Sequence, residues 1–207
     1  MLNEYWRLIS GPFVQTIQMV FFSTIFSVIL GLPIGVLLQI TSSEENGGIL
    51  PRPILNSVLS RIVNVLRSFP FIILMIVIMP LSRLIIGTAI GTKATIIPLS
   101  IAAAPFVARV IESALKEVDP GVVQAAKAMG STNWQIIWKV LLPEAMPSLI
   151  SGITLTIINL IGYSAMAGAI GGGGLGDLAI RYGYQRFRTD IMIITVVIII
   201  LLVEIIQ

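Results

Sequence analysis

Cysteine, histidine and charge are all scarce in this sequence of 207 residues. There is no cysteine, which excludes disulfides, iron–sulfur clusters and thiol catalysis, and no histidine, which excludes His-ligated zinc and a Ser–His–Asp triad. Charged residues make up 11% of the chain, against about 25% in a typical soluble protein. The net charge of +3 is too small to indicate a nucleic-acid partner. We therefore expect no catalytic residues, no metal site and no cofactor in this chain.

Apolar residues dominate instead, at 56% of the chain. A soluble domain of this size cannot cover so much apolar surface, so the bilayer must be the solvent for much of the chain. A spanning helix needs about 20 mainly apolar residues, and an alternative sixth segment at 81–90 is too short to cross. We predict an all-α integral membrane protein, a single domain over 1–207, with five transmembrane helices at about 13–40, 55–79, 94–115, 146–166 and 191–207.

The connection between the third and fourth spans, residues 118–143, contains the signals of two short helices. Asp119 is a good N-cap, and Pro120 suits the first helical position because its missing N–H needs no partner there. Gly130 is expected to end this first helix as a left-handed C′ residue.

A second short helix is predicted over 133–142. Thr132 and Gln135 have the spacing of a capping box, and Pro143 is expected to stop the helix. On pattern alone, a helix lying on the lipid headgroups is an equal interpretation of this segment. Its single apolar face would consist of Trp134, Ile137, Trp138 and Leu141.

Nucleotide-binding motifs are missing. The sequence has no Walker A pattern, so we expect no ATP hydrolysis by this chain and no enzyme activity. Gly171, Gly173 and Gly176 match G-x-G-x-x-G, but they do not follow a strand in a βαβ unit, which excludes a dinucleotide site. The segment is either a flexible outer loop or a backbone that bends when an outer gate moves.

Residues inside the predicted spans narrow the class of membrane protein. No Asp or Glu lies in the middle of a span, which argues against a secondary transporter. Prolines at 33, 70, 98 and 105 argue against a scaffold without a cavity. Gly31 and Gly35 favour close helix packing. Arg67 and Arg109 are expected to extend to the headgroups, with contact to a substrate carboxylate as the alternative.

Gln124-Ala125-Ala126, followed by Gly130 and by Val140-x-Leu142-Pro143, has the spacing of the EAA loop, and here the chain resembles ABC-importer permeases. In that family the segment is a coupling helix that docks on a separate cytoplasmic ATPase. The family's usual Glu is Gln124 in this chain, so either its carboxylate is not essential or another acid such as Glu117 replaces it. The resemblance implies coupling roles for Gln124, Ala125, Ala126, Ala128, Gly130 and Trp134.

Further segments resemble the permeases of bacterial methionine importers and occur in the same order. In chain order, these segments are Arg67–Leu74, Gly87–Gly91, Ala104–Arg109, Gly162–Met166, Gly173–Gly176 and Tyr182–Tyr184. The glycine-rich segment Gly173–Gly176 is shared with betaine-type permeases. Gly162–Met166 and Tyr182–Tyr184 therefore carry most of the resemblance.

The resemblance implies a homodimer in the bacterial inner membrane that imports L-methionine and D-methionine. Two ATPase subunits would bind ATP and Mg, and an extracytoplasmic lipoprotein would deliver the substrate. Another small amino acid or a betaine-like solute is the alternative substrate. Because a coupling loop must face cytoplasmic ATP, the amino terminus is expected outside and the carboxyl terminus inside. Lys and Arg, which divide seven to six between the two sides, do not decide the orientation.

The segment after the middle of the fourth span supplies the candidate transport residues. Met166 is a candidate gate, because two copies could close a pore on the two-fold axis with flexible thioethers. Ordinary core packing is the alternative for Met166. Tyr163 and Ser164 are candidate pathway residues.

Overall fold

The structure is a computed structural model that describes residues 2–207, with side chains from Glu4 onward. The described residues contain α-helices and no strand, which confirms the all-α prediction. A 3-10 turn lies at Glu44–Asn46, and π-helical turns lie at Ile137–Leu141 and Ala179–Tyr184. The α-helices are α1 (Leu2–Ile40), α2 (Pro53–Ser68), α3 (Phe71–Ile86), α4 (Thr92–Lys116), α5 (Pro120–Ala128), α6 (Asn133–Ile136), α7 (Leu142–Glu144), α8 (Met146–Gly168), α9 (Gly174–Leu178) and α10 (Thr189–Ile206).

Helices α1, α4, α8 and α10 are long and apolar enough to cross a membrane. A fifth span is reached when the bent pair α2 and α3 counts as one, so the total of five remains a prediction. The ends of α4, α8 and α10 lie within two residues of the predicted ends. Helix α1 begins well before the predicted position 13, because a helix continues through the exposed polar residues Glu4 and Arg7.

The predicted continuous helix over 55–79 is wrong. Helix α2 ends at Ser68 and α3 begins at Phe71. Pro70 accounts for the break, because proline has no N–H to donate and disfavours helical backbone at the preceding Phe69. Helix α3 then continues to Ile86, so most of the segment 81–90 is the end of a longer helix and not a separate re-entrant piece.

The described chain forms two compact units built from non-contiguous segments. The first unit contains residues up to Ser27, 69–103 and 154–207, and the second contains residues 28–68 and 104–153. One core of the first unit includes Met19, Leu99 and Leu160. A second core of the same unit includes Leu175 and Ile191.

The core of the second unit joins its long helices to the loop at 118–143. Ile111 and Leu115 of α4 share this core with Val123 of α5 and Leu149 of α8. Close approach of α1 to α4 is confirmed within this unit, because a Cβ added to Gly35 would lie 2.6 Å from the Ala108 carbonyl oxygen.

Candidate functional site

Helix α5 begins at the predicted N-cap. The Gly121 N–H donates to Asp119 Oδ1 at 2.7 Å, and Pro120 occupies the first helical turn. The carboxylate therefore satisfies one of the backbone donors that a helix start leaves free.

The end of α5 is a defined turn and not a loose linker. Gly130 has a φ of +78°, as predicted for a left-handed C′ residue. Its N–H donates to the Lys127 carbonyl at 2.9 Å, and the Ser131 N–H donates to the Ala126 carbonyl at 3.1 Å. This pair of hydrogen bonds is the Schellman motif.

The two sides of α5 have different surroundings. Val123 and Ala126 are buried in the core of the second unit. Ala126 is thus a packing residue, whereas the other predicted coupling residues of α5 are accessible. The exposed residues of this helix and its C-cap are Pro120, Gly121, Val122, Gln124, Ala125, Lys127, Ala128 and Met129.

The capping box after α5 is confirmed, but the helix that follows differs from the prediction. The Thr132 N–H donates to Gln135 Oε1 at 2.8 Å, and the Gln135 N–H donates to Thr132 Oγ1 at 3.3 Å. Helix α6 ends at Ile136 and widens into the π-helical turn. Pro143 does not end the helical segment as predicted, because it lies in the first turn of α7, where a missing N–H is tolerated.

The π-helical turn also changes which side chains are buried. Ile136, Ile137 and Leu141 are buried, whereas Trp134 is 68% exposed and Trp138 is 49% exposed. The predicted apolar face is therefore confirmed for Ile137 and Leu141 and wrong for the two tryptophans. Trp138 lies in the π-helical turn, which has more residues per turn than the 3.6 spacing assumed. The two indole rings contact each other, with centroids 5.4 Å apart.

Several large apolar side chains of this loop thus face outward. We call Val122, Ala125, Met129, Trp134 and Trp138 the docking residues. Met129 is 79% exposed. Exposed apolar groups clustered in one loop segment mark an interaction surface more often than exposed apolar residues scattered singly.

A cleft of about 300 Å³ beside α5 has no counterpart in the sequence patterns. Gln124 and Lys127 of α5 line it together with Glu44 and Glu45 of the 3-10 turn. Gln39 Nε2 donates to the Asn46 carbonyl at 2.9 Å and so fixes this turn to α1. About 80 residues of sequence separate the turn from α5, which is why local spacing does not reveal the cleft.

Glu117, the suggested replacement for a carboxylate at position 124, has another partner. Its Oε2 accepts a hydrogen bond from the Ser148 hydroxyl of α8. The carboxylates that share a cleft with Gln124 are those of Glu44 and Glu45.

Arg109 does not extend freely to the headgroups as expected. Its Nη1 donates to Glu112 Oε2 at 2.6 Å, and its Nη2 donates to the Ser60 carbonyl at 3.1 Å and to Asn64 Oδ1 at 2.9 Å. The guanidinium therefore links α4 to α2 inside the second unit. Arg67, by contrast, is exposed in the last turn of α2.

The three candidate transport residues of α8 have different environments. The Tyr163 ring stacks on Phe71, with centroids 4.0 Å apart and planes 7° from parallel. Ser164 is buried, and its hydroxyl donates to the Ile161 carbonyl at 2.7 Å, so it faces the core of the first unit. Met166 is 48% exposed, which does not support core packing within this chain.

The glycine-rich segment before α9 is held in place by α1. The Gly174 N–H donates to Gln15 Oε1 at 2.9 Å, and the Leu175 N–H donates to Thr16 Oγ1 at 2.8 Å. A Cβ on Gly173 would lie 2.9 Å from Gln15 Oε1, so the packing leaves no room for a side chain there. These contacts favour a held backbone over a flexible loop, and bending of this backbone remains a hypothesis.

The segment before α10 carries an ion pair and one unusual backbone conformation. Asp190 Oδ2 accepts hydrogen bonds from the Tyr5 hydroxyl at 2.8 Å and from Arg188 Nη2 at 2.6 Å. The hydrogen bond to Asp190 raises the pKa of the Arg188 guanidinium above its ordinary value. Phe187 has a φ of +56° and is 88% exposed.

The sequence profile of the binding-protein-dependent transport system inner membrane components matches residues 31–207. The chain belongs to this family. Transport by a membrane component, and not an enzyme activity, is therefore confirmed as its class of function. The family description also supports the predicted inner-membrane location.

Named relatives cover nearly the whole chain. A Vibrio cholerae protein named probable D-methionine transport system permease protein MetI is 53% identical over 193 residues, which are 93% of this chain and 84% of that protein. A Pasteurella multocida protein of the same name is 49% identical over 207 residues, covering 100% of this chain and 94% of the relative.

Solved structures show the same similarity. A structure of the MetNI methionine ABC transporter in inward facing conformations has a TM-score of 0.95 at 44% identity, covering 100% of this chain and 94% of the matched chain. A crystal structure of an amino acid ABC transporter, 22% identical with a TM-score of 0.78, shares the fold.

Proposed function

We propose that this chain is the permease subunit of an ABC importer that carries L-methionine and D-methionine into the cytoplasm. The observation that carries the proposal is similarity over the full chain to a methionine ABC transporter structure. Curated relatives that are about half identical are named for D-methionine transport. The apolar spans without mid-span carboxylates suit a pathway for a small zwitterion with an apolar side chain.

The loop at 118–143 is proposed as the site that couples ATP hydrolysis to transport. The docking residues are exposed at the surface of the chain. Val123 and Ala126, on the other side of α5, lie in one core with Leu115 of α4 and Leu149 of α8. A force on α5 therefore reaches two long helices through close-packed side chains, which do not deform freely. Gln124, Ala125, Ala128, Gly130 and Trp134 would face the ATPase, and Ala126 would transmit its movement.

The proposed assembly contains two copies of this chain, two cytoplasmic ATPase subunits and an extracytoplasmic substrate-binding lipoprotein, surrounded by lipid. ATP and Mg would bind to the ATPase subunits, because the sequence here has no Walker A pattern. Four or five spans in one chain would form only half of a pathway. A second copy related by two-fold symmetry would supply the other half. The amino terminus would lie outside and the carboxyl terminus inside, with the docking residues in the cytoplasm.

Growth of a methionine-requiring bacterium without its own methionine uptake tests the proposal. We expect this chain, expressed with its ATPase and binding protein, to restore growth on limiting L-methionine and on limiting D-methionine. Expression without the ATPase is the control and should not restore growth. No growth on either isomer, together with uptake of betaine or another amino acid, would contradict the methionine assignment.

A further inference from the structure

Helix α8 has one accessible face in the first unit. Leu155, Asn159, Gly162 and Met166 are exposed, at successive spacings of four, three and four residues, which place them on one side of a helix. We call these four residues the α8 face. The other side of the helix is buried, and its buried members include Thr156, Leu160, Ile161 and Ser164.

Asn159 lies in the central part of the span. It follows Met146 by 13 residues and precedes Gly168 by nine. At a rise of about 1.5 Å per residue, its Cα is about 20 Å from one end of α8 and about 14 Å from the other. Both distances are close to half of a hydrocarbon core of about 30 Å, which places this amide near the middle of the core.

The Asn159 side chain is also accessible and unpaired. It makes no hydrogen bond to the part of the chain whose side chains the structure describes, residues 4–207. An amide that faces lipid without a partner is strongly unfavourable, because hydrocarbon offers no donor or acceptor. The α8 face is therefore turned toward water or toward protein, and not toward lipid.

The exposed face of α10 shows the contrast. Ile193, Val197 and Ile200 are all exposed, and Thr195 on its other side is buried, with its hydroxyl bonded to the Ile191 carbonyl at 2.7 Å. Lipid contact suits this apolar stretch, which ends one turn before the exposed Glu204 near the end of the helix. The two helices thus have exposed faces of different chemistry within one unit.

We propose that the α8 face lines the translocation pathway and that Asn159 contacts the zwitterionic head of the transported amino acid; this inference rests on the proposed function. The amide oxygen accepts from an ammonium group and the amide NH₂ donates to a carboxylate, so one neutral side chain serves both charged groups. Apart from its chain neighbours and the helix's own backbone, no heavy atom lies within 4 Å of a Cβ added at Gly162, which leaves room beside the amide. Leu155 and Met166 supply apolar contacts for the substrate's side chain.

Thiol labelling of the assembled transporter tests the pathway position, and the absence of cysteine from this sequence makes single-cysteine variants possible without further changes to this chain. The probe is a charged, water-soluble methanethiosulfonate. We expect Asn159→Cys to react at least about tenfold faster than Val197→Cys, because only a hydrated thiol forms the reactive thiolate. Methionine with ATP and binding protein should slow the Asn159→Cys reaction. Equal rates at the two positions would overturn the proposal. If Asn159→Cys does not assemble, Leu155→Cys on the same face takes its place with the same two expectations.

Transport kinetics test the contact with the substrate. Asn159→Leu keeps the side-chain size and removes the hydrogen bonds, so we expect methionine uptake per assembled complex to fall by about tenfold. Hydrolysis of ATP stimulated by the binding protein should remain. If uptake per assembled complex is unchanged and only dimer assembly is lost, Asn159 pairs between the two copies and the proposal is overturned. Wild-type vesicles in the same assay separate the role of Asn159 from the proposed function. If wild type takes up no methionine, the proposed function itself is contradicted.

Discussion

Gly130 ends α5 in a backbone conformation that few residues adopt, and replacing it tests whether the turn matters for coupling. At a φ of +78°, a residue with a Cβ is strained by about 1–2 kcal/mol. Beyond its chain neighbours, no atom of this chain lies within 4 Å of a Cβ added there, so the Cβ itself adds no clash within the chain. A loss of that size lowers the population of the native turn by a factor of about 5–30.

We therefore expect Gly130→Val to insert into the membrane normally and to move less methionine per ATP hydrolysed than wild type. The assay measures both quantities in the same vesicles. Gly130→Asn is the matched control, because asparagine tolerates left-handed backbone, and it should couple nearly as wild type does. Wild-type coupling in Gly130→Val, or equal loss in both variants, would refute the role of the turn.

Three further predictions concern single side chains of the described structure. Met166→Ala should raise ATP turnover or solute leak without binding protein, and unchanged leak and turnover would contradict the gate. Arg109→Met leaves the Glu112 carboxylate unpaired and should lower the free energy of unfolding of the purified complex by about 3 kcal/mol. Thermal unfolding measures this loss, with Arg67→Met at an exposed position as the control. Equal unfolding midpoints in the two variants would contradict a stabilising role for Arg109. Trp134→Ala should weaken ATPase binding by about 2 kcal/mol, or about thirtyfold in Kd. Titration of purified subunits in detergent measures this Kd, and an unchanged value would show that Trp134 does not contact the ATPase.

Features set by neighbours in sequence were predictable. Both ends of α4 and the starts of α8 and α10 lie beside charged residues that bound the apolar runs. The N-cap at Asp119, the capping box at Thr132 and the left-handed Gly130 follow from hydrogen bonds that span only a few residues.

Features set by contacts between distant residues were not predictable. The partners of Arg109 on α2 lie more than 40 residues away in sequence, and those of the glycine-rich segment on α1 lie 159 residues away. The π-helical turn at Ile137–Leu141 is not visible in the sequence pattern, because the 3.6 spacing assumes a regular helix. Trp138 lies inside this turn and is exposed, whereas Leu141 is buried.

The most direct measurement of the central claim is ATP-driven uptake of radiolabelled methionine by vesicles that contain this chain, its ATPase and its binding protein. The account predicts accumulation of methionine against its gradient that requires ATP and the binding protein and that stops when the ATPase cannot hydrolyse ATP. Accumulation of a different solute with none of methionine, or methionine uptake that needs no ATPase, would contradict it.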